Sequence, residues 1–143
     1  FVGQIHGWSR IFAQKSTDHR GVPEAPGLVA TLCEESVLAT LPNFKSFSST
    51  TLGRGYIVPD EDITKVLAEL DFREKGGYTR RIVQVEKIDG TGTMKALLYS
   101  GTIDNPNFWW GIDGKGYDID IAADIIAKAN GPSGPNIDYL RNL

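Results

Sequence analysis

Histidine, cysteine and methionine are scarce in this chain of 143 residues, which has two, one and one respectively. The lone Cys33 excludes an internal disulfide and any zinc site built from cysteines. A single thiol fits a reducing, cytoplasmic setting, which is the compartment expected. With His6 and His19 the only histidines, a histidine-rich metal centre is excluded too. An excess of positive charge is also missing. Lys and Arg number 15 against 18 Asp and Glu, for a net charge of −3, so neither nucleic acid nor an anionic membrane is an expected partner. No apolar run approaches the roughly 20 residues that cross a bilayer. What is present is an ordinary soluble mixture, 41% hydrophobic and 23% charged. Its length suits one compact domain with one core.

One stretch organises the rest. Asp60, Glu61 and Asp62 place acidic residues at a helix start. Ile63, Val66, Leu67 and Leu70 follow at helical spacing, giving one apolar stripe. Gly76 and Gly77 end the helix, because a left-handed residue past the last turn costs glycine nothing. Glu74 then falls in the last turn, beside unpaired carbonyls that push a carboxylate pKa upward. It reads either as a solvated helix end balanced by Arg73 and Lys75 or as a tuned acid/base.

Around this helix the pattern is mixed. Phe1 to Lys15 reads as extended or mixed structure, and Leu28 to Leu32 as a buried β-branched strand. Ser46 to Thr51 reads as a loop or insertion, and Gly55 to Val58 as a second strand ended by Pro59. Arg80 to Lys87 alternates as a half-exposed strand. Asp89-Gly90-Thr91-Gly92 forms a hairpin turn, and Met94 to Tyr99 is the return strand. Trp109 and Trp110 are expected to fill the core or cover its edge. Ile119, Ala122, Ile126 and Ala129 mark a second helix stopped by Gly131-Pro132. The fold class expected from this order is α+β with a mostly antiparallel sheet or barrel.

Several constellations carry less than they suggest. Ser16, Asp18 and His19 hold the residue types of a hydrolytic triad, but so close along one loop they suit local hydrogen bonding instead. Asp113, Asp118 and Asp120 miss the ligand spacing of a calcium loop. Gly90, Gly92 and Gly111 form no phosphate cradle, since none opens a helix after a strand.

Four words, taken together, resemble the ChaC-type γ-glutamylcyclotransferases. The first is Ser16-Thr17-Asp18-His19-Arg20-Gly21, with Pro23 and Pro26-Gly27. The second is Leu70-Asp71-Phe72-Arg73-Glu74-Lys75-Gly76-Gly77-Tyr78. The third is Leu97-Leu98-Tyr99-Ser100-Gly101-Thr102 with Asp104-Asn105-Pro106, and the last is Gly131-Pro132-Ser133-Gly134-Pro135-Asn136. The resemblance implies a small mixed or antiparallel β-barrel with flanking helices. It also implies a reaction without metal or organic cofactor that releases 5-oxoproline from a γ-glutamyl amide, glutathione above all. By the same resemblance Glu74 is the catalytic acid/base and Tyr99 lines the substrate pocket. Asp18, His19 and Arg20 belong to a loop that buttresses the site. The family's Tyr-Gly-Ser-Leu turn does not occur, so the expectation is a single domain over 1–143 lacking that turn and its strand. The stretch from Leu38 to Leu52 is longer than in compact members. The alternative is an inactive relative or truncated domain with a binding role.

Overall fold

The computed structural model describes residues 1–45, 48–73 and 77–143, the side chain of Arg73 excepted. Two strands open the chain, β1 (Val2–His6) and β2 (Trp8–Ser16), joined at Gly7, whose φ of 77° suits glycine. They separate into different sheets. β2 pairs antiparallel with β3 (Gly27–Glu34), while β1 pairs antiparallel with both β4 (Thr50–Arg54) and β5 (Tyr78–Lys87). β6 (Thr93–Gly101) completes a four-stranded sheet of order β4-β1-β5-β6. The β5–β6 hairpin turns where expected. Gly90 and Gly92 have φ of 74° and 115°, and the Asp89 carboxylate accepts from the Thr91 N–H at 2.9 Å.

The helices follow their periodicity. A short turn, α1 (Glu35–Leu38), succeeds β3. A 3₁₀ turn at Asp60–Asp62 leads into α2 (Ile63–Arg73). α3 (Ile119–Lys128) begins at Asp118, whose carboxylate accepts from the N–H groups of Asp120 and Ile121. After the two-residue strands β7 (Asn130–Gly131) and β8 (Gly134–Pro135), the tail forms α4 (Asn136–Arg141), which its sequence pattern did not announce.

Buried side chains gather in two clusters. One holds Ile11, Ala13, Cys33, Leu38 and Trp110, and the other Leu28, Trp109, Ala122 and Ile126. Adjacent tryptophans serve different clusters because neighbouring residues on an extended chain point to opposite sides. The Trp109 N–H bonds the Ala13 carbonyl at 2.8 Å, tying this segment to β2. Tyr117 packs against both indoles, at 5.2 and 5.7 Å between centroids. Burial raises its phenol pKa. The core-filling role expected of Trp109 and Trp110 holds, at 8% and 5% exposure.

Two expectations need correction. Gly55–Val58 is not a strand. The second strand lies earlier, at Thr50–Arg54, where the β1 register runs from His6↔Thr50 to Val2↔Arg54. A last rung joins the Gly55 N–H to the Phe1 carbonyl at 2.9 Å, and the chain beyond leaves β1, with Tyr56 and Ile57 exposed. Thr50 and Thr51, expected in a loop, are strand residues, while Ser46 and Phe47 lie outside the described residues.

The second correction concerns the barrel. Antiparallel sheets are present, but among the described residues they do not close into a barrel. β3 and β6 meet through side chains rather than a backbone ladder. The Gly101 N–H donates to Thr31 Oγ1 at 3.1 Å, and the Cys33 thiol points at the Gly101 carbonyl at 3.7 Å. The outer edge of β3 is occupied by α4. Asn136 Oδ1 accepts from the Leu28 N–H at 2.7 Å, and its Nδ2 donates to the Leu28 carbonyl at 2.9 Å. The Tyr139 hydroxyl accepts from the Ala30 N–H at 3.3 Å. With those groups matched, no further strand can pair at Leu28 or Ala30.

Candidate active site

The β2–β3 connection is built by close packing. The Ser16 hydroxyl accepts from the Arg20 N–H at 3.0 Å, which closes the turn. A Cβ on Gly21 would lie 2.1 Å from the Gly27 nitrogen, so the two legs of the loop can touch only through glycine. The tail packs on the same loop. The Ser133 N–H bonds the His19 carbonyl at 2.9 Å, and His19 Nδ1 meets the Ser133 hydroxyl at 3.1 Å. A Cβ on Gly131 would stand 2.3 Å from the His19 carbonyl oxygen. Arg20 reaches back over the tail, donating to the Pro135 carbonyl at 3.3 Å and lying 5.9 Å above the Tyr139 ring. The hydrolytic-triad types are thus absorbed in loop bonding. Asp18 and His19 sit 3.9 Å apart on the surface, and the Ser16 oxygen is spent on backbone.

The other side of the site comes from α2 and the β5–β6 hairpin. Asp71, in the last turn of α2, accepts from Tyr99 Oη at 2.6 Å and from Arg80 Nε at 2.7 Å, and its second oxygen pairs with Arg80 Nη2. That fork is the bidentate geometry guanidinium and carboxylate favour. It ties the end of the helix to both strands of the hairpin. Further along, Asn105 Nδ2 donates to the Gly77 carbonyl at 3.3 Å and to Gln14 Oε1 at 3.2 Å. Asn105 is buried, and a Cβ on Gly77, whose φ is 102°, would overlap it. Glu74, the expected acid/base, lies outside the described residues, as do Lys75 and Gly76. Asp71 and Gly77 are the described, anchored residues three positions to either side of it.

Between these two sides lies a cavity of about 750 Å³. Its lining includes Ser16, His19 and Arg20 from the first word, Tyr78 from the second, Tyr99 from the third and Ser133 from the last. Four words far apart in the sequence thus face one space. Tyr99 also borders a larger, mainly apolar cavity of about 910 Å³ between α2 and the hairpin. A third cavity, of about 580 Å³ beside Trp109 and α3, touches only Pro26 among the words. Tyr99, expected in the substrate pocket, borders both of these cavities, and its hydroxyl is already given to Asp71. What it offers a ligand is the ring and the dipole of an engaged phenol.

Asp113 and Asp118, weighed as part of a calcium loop, have other work. Asp113 pairs with Lys115 at 3.3 Å, and Asp118 caps α3. Among the described residues no group of three or more His, Cys, Asp or Glu could hold a metal ion. No helix among them is long and apolar enough to cross a membrane. Sequence reasoning quoted Asp71, Asn105 and Asn136 inside words without giving them roles, and it missed Arg80. An aspartate one turn before a helix end is the available signal for Asp71. Nothing local marks Arg80 as its partner.

A family model described as ChaC-like protein matches residues 1–143. The chain belongs to the ChaC-like family. It is 34% identical to a glutathione-specific gamma-glutamylcyclotransferase of Saccharomyces cerevisiae, across 97% of this chain and 73% of the relative. It is 35% identical to glutathione-specific gamma-glutamylcyclotransferase 1 of Homo sapiens, across 99% of this chain. The chain spans 58% of that human relative's length. Among solved structures, a gamma-glutamylcyclotransferase specific to glutathione from yeast superposes with a TM-score of 0.79 at 30% identity. That match covers 99% of this chain and 75% of the other.

Proposed function

We propose that this ChaC-like chain is a γ-glutamylcyclotransferase that cleaves glutathione to 5-oxoproline and cysteinylglycine. The observation that carries the reading is the meeting of all four words around one cavity, with Ser16, His19, Tyr78, Tyr99 and Ser133 on its walls. Relatives named for this activity match nearly the whole chain.

In the reaction the substrate's α-amine attacks its own γ-carbonyl carbon. The new C–N bond closes a five-membered ring, and the old amide C–N bond breaks to release the cysteinyl amine. An ammonium has no lone pair, so a base must first take a proton, and the departing amine must then receive one. One carboxylate can do both, taking the proton in the first step and returning it in the second. Glu74 is the residue proposed for this shuttle. Because attack is intramolecular, folding the γ-glutamyl group into a near-attack shape supplies much of the rate. The buttressed loop at His19–Arg20 and the ring of Tyr99 are the rigid walls proposed to impose that shape.

The test is 5-oxoproline release from glutathione by the chain and by its Glu74→Gln variant. The expected result is turnover by the parent and a loss of about 10²–10⁴-fold in kcat for the variant, which stays folded. Parent activity that survives the substitution would remove Glu74 from the mechanism. A folded parent that releases no 5-oxoproline would remove the reaction.

A further inference from the structure

The cavity beside Trp109 has no part in the proposed reaction. It shares no lining residue with the cavity that the four words face. The β2–β3 ribbon runs between the two. Lys15 stands opposite Leu28, and both border the Trp109 cavity. Ser16 and Val29, the next residues along each strand, border the other. Neighbours on an extended chain point to opposite sides, so the ribbon carries one cavity on each face.

The Trp109 cavity is mainly apolar. Leu28, Pro26, Trp109 and Ile125 line it, and Ile112 joins them although it is 60% exposed. The loop that carries Ile112 is held shut. The Gly116 N–H donates to the Trp110 carbonyl at 3.2 Å, and Asn43 Nδ2 donates to the Lys115 carbonyl at 2.6 Å. A Cβ on Gly111 would lie 1.8 Å from the Gly116 carbonyl oxygen, so only glycine lets this loop close so tightly. At about 580 Å³ the space suits a small molecule, whose sites are mostly apolar with a few placed polar groups.

Four charged side chains border it, Lys15, Asp113, Asp124 and Lys128. Three of them are already paired. Asp124 meets Lys128 at 2.6 Å, and Asp113 meets Lys115 at 3.3 Å. Lys15 is half-buried, yet among the described residues it forms no ion pair. Its apolar stem can lie along the wall while the ammonium stays free for an anion. The uncommitted charge is therefore a single positive one beside an aromatic and aliphatic surface.

We propose that this cavity binds a small organic monocarboxylate with an apolar body, its carboxylate on Lys15 Nζ and its body against Trp109, Ile112 and Ile125. The site stands whether or not the chain cleaves glutathione.

The experiment is calorimetric titration of the full chain, Lys15→Met and Lys15→Arg with 3-phenylpropionate and with its neutral amide. Lys15→Met keeps an apolar stem without the charge, and a thermal melt checks that each variant is folded. The acid is expected to bind the parent about tenfold more tightly than the amide does, the usual scale for a charge-assisted contact. Lys15→Met should abolish that preference and leave amide binding within about twofold, while Lys15→Arg should keep most of it. Glutathione in excess should not displace the acid, since the two cavities have no residue in common. No binding of the acid at millimolar concentration would overturn the proposal. So would equal binding of acid and amide, a preference that survives Lys15→Met, or displacement by glutathione.

Discussion

Around β2, β3 and the tail, polar groups are matched one to one. Asn136, fully buried, uses its amide as a stand-in peptide on both backbone groups of Leu28. His19, Ser133, Arg20 and Pro135 knit loop to tail. Around β4, β1, β5, β6 and α2 the packing is of another kind. Phe72 is 69% exposed and Ile82 68%, and the apolar stripe of α2 is only half-buried at Val66, Leu67 and Leu70. There the helix end is held by the fork from Asp71 to Arg80 and Tyr99. The comparison teaches how a site can be shared between unequal parts. A closely bonded wall faces the cavity, while a polar tether sets the helix that precedes the proposed acid/base.

The largest effect on stability should come from breaking the matched half. Asn136→Leu keeps the volume but leaves the Leu28 N–H and carbonyl buried without partners, at about 1–3 kcal/mol for each group. A loss of roughly 3 kcal/mol in urea unfolding is expected, with activity falling alongside because the His19 loop rests on the same tail. A loss below about 1 kcal/mol would show that the amide's two bonds do not hold this half together.

A smaller effect sharpens the same contrast from inside the core. Burial pushes the Cys33 thiol from 9.0 up to about 12. The folded state therefore keeps its proton where the unfolded chain has lost it. The sign follows: this contribution is whole below pH 9 and is lost as pH rises from 9 toward 12. About 1 kcal/mol should be gone by pH 10, at 1.36 kcal/mol for each pH unit past the unfolded pKa. The excess slope should vanish in Cys33→Ala, measured by denaturant midpoints at pH 8 and pH 10. The native thiol should also resist iodoacetamide at pH 8 and react once the chain is unfolded. Fast alkylation of the native protein would contradict its burial.

The smallest effect belongs to the open half. Phe72→Ser removes a side chain that is already mostly in water, so stability should shift by no more than about 0.5 kcal/mol. A cost above about 2 kcal/mol would mean that this face is covered in solution and that the two halves are more alike than they look.

Local order was legible from the residues themselves. The stripe from Ile63 to Leu70, the Asp89–Gly92 turn and the helix after Asp118 all follow from neighbours three or four positions apart, or from the φ that a turn demands. Burial of Trp109 and Trp110 follows from the size of an indole. The four words, in their order, were enough to point to the ChaC-like family. Other features had no local signal. That Gly55–Val58 leaves the sheet depends on where β1 stops pairing. That β3 meets β6 through Thr31 and Gly101 rather than a backbone ladder, and that α4 bonds the edge of β3 at Leu28 and Ala30, depends on segments far apart in the chain. That Tyr99 spends its hydroxyl on Asp71, and Arg80 its fork on the same carboxylate, depends on a helix end reaching a hairpin. Periodicity and turn chemistry are properties of adjacent residues, and the chain states them openly. The partner of a polar group is a property of distant residues brought together, and only the tertiary structure decides it.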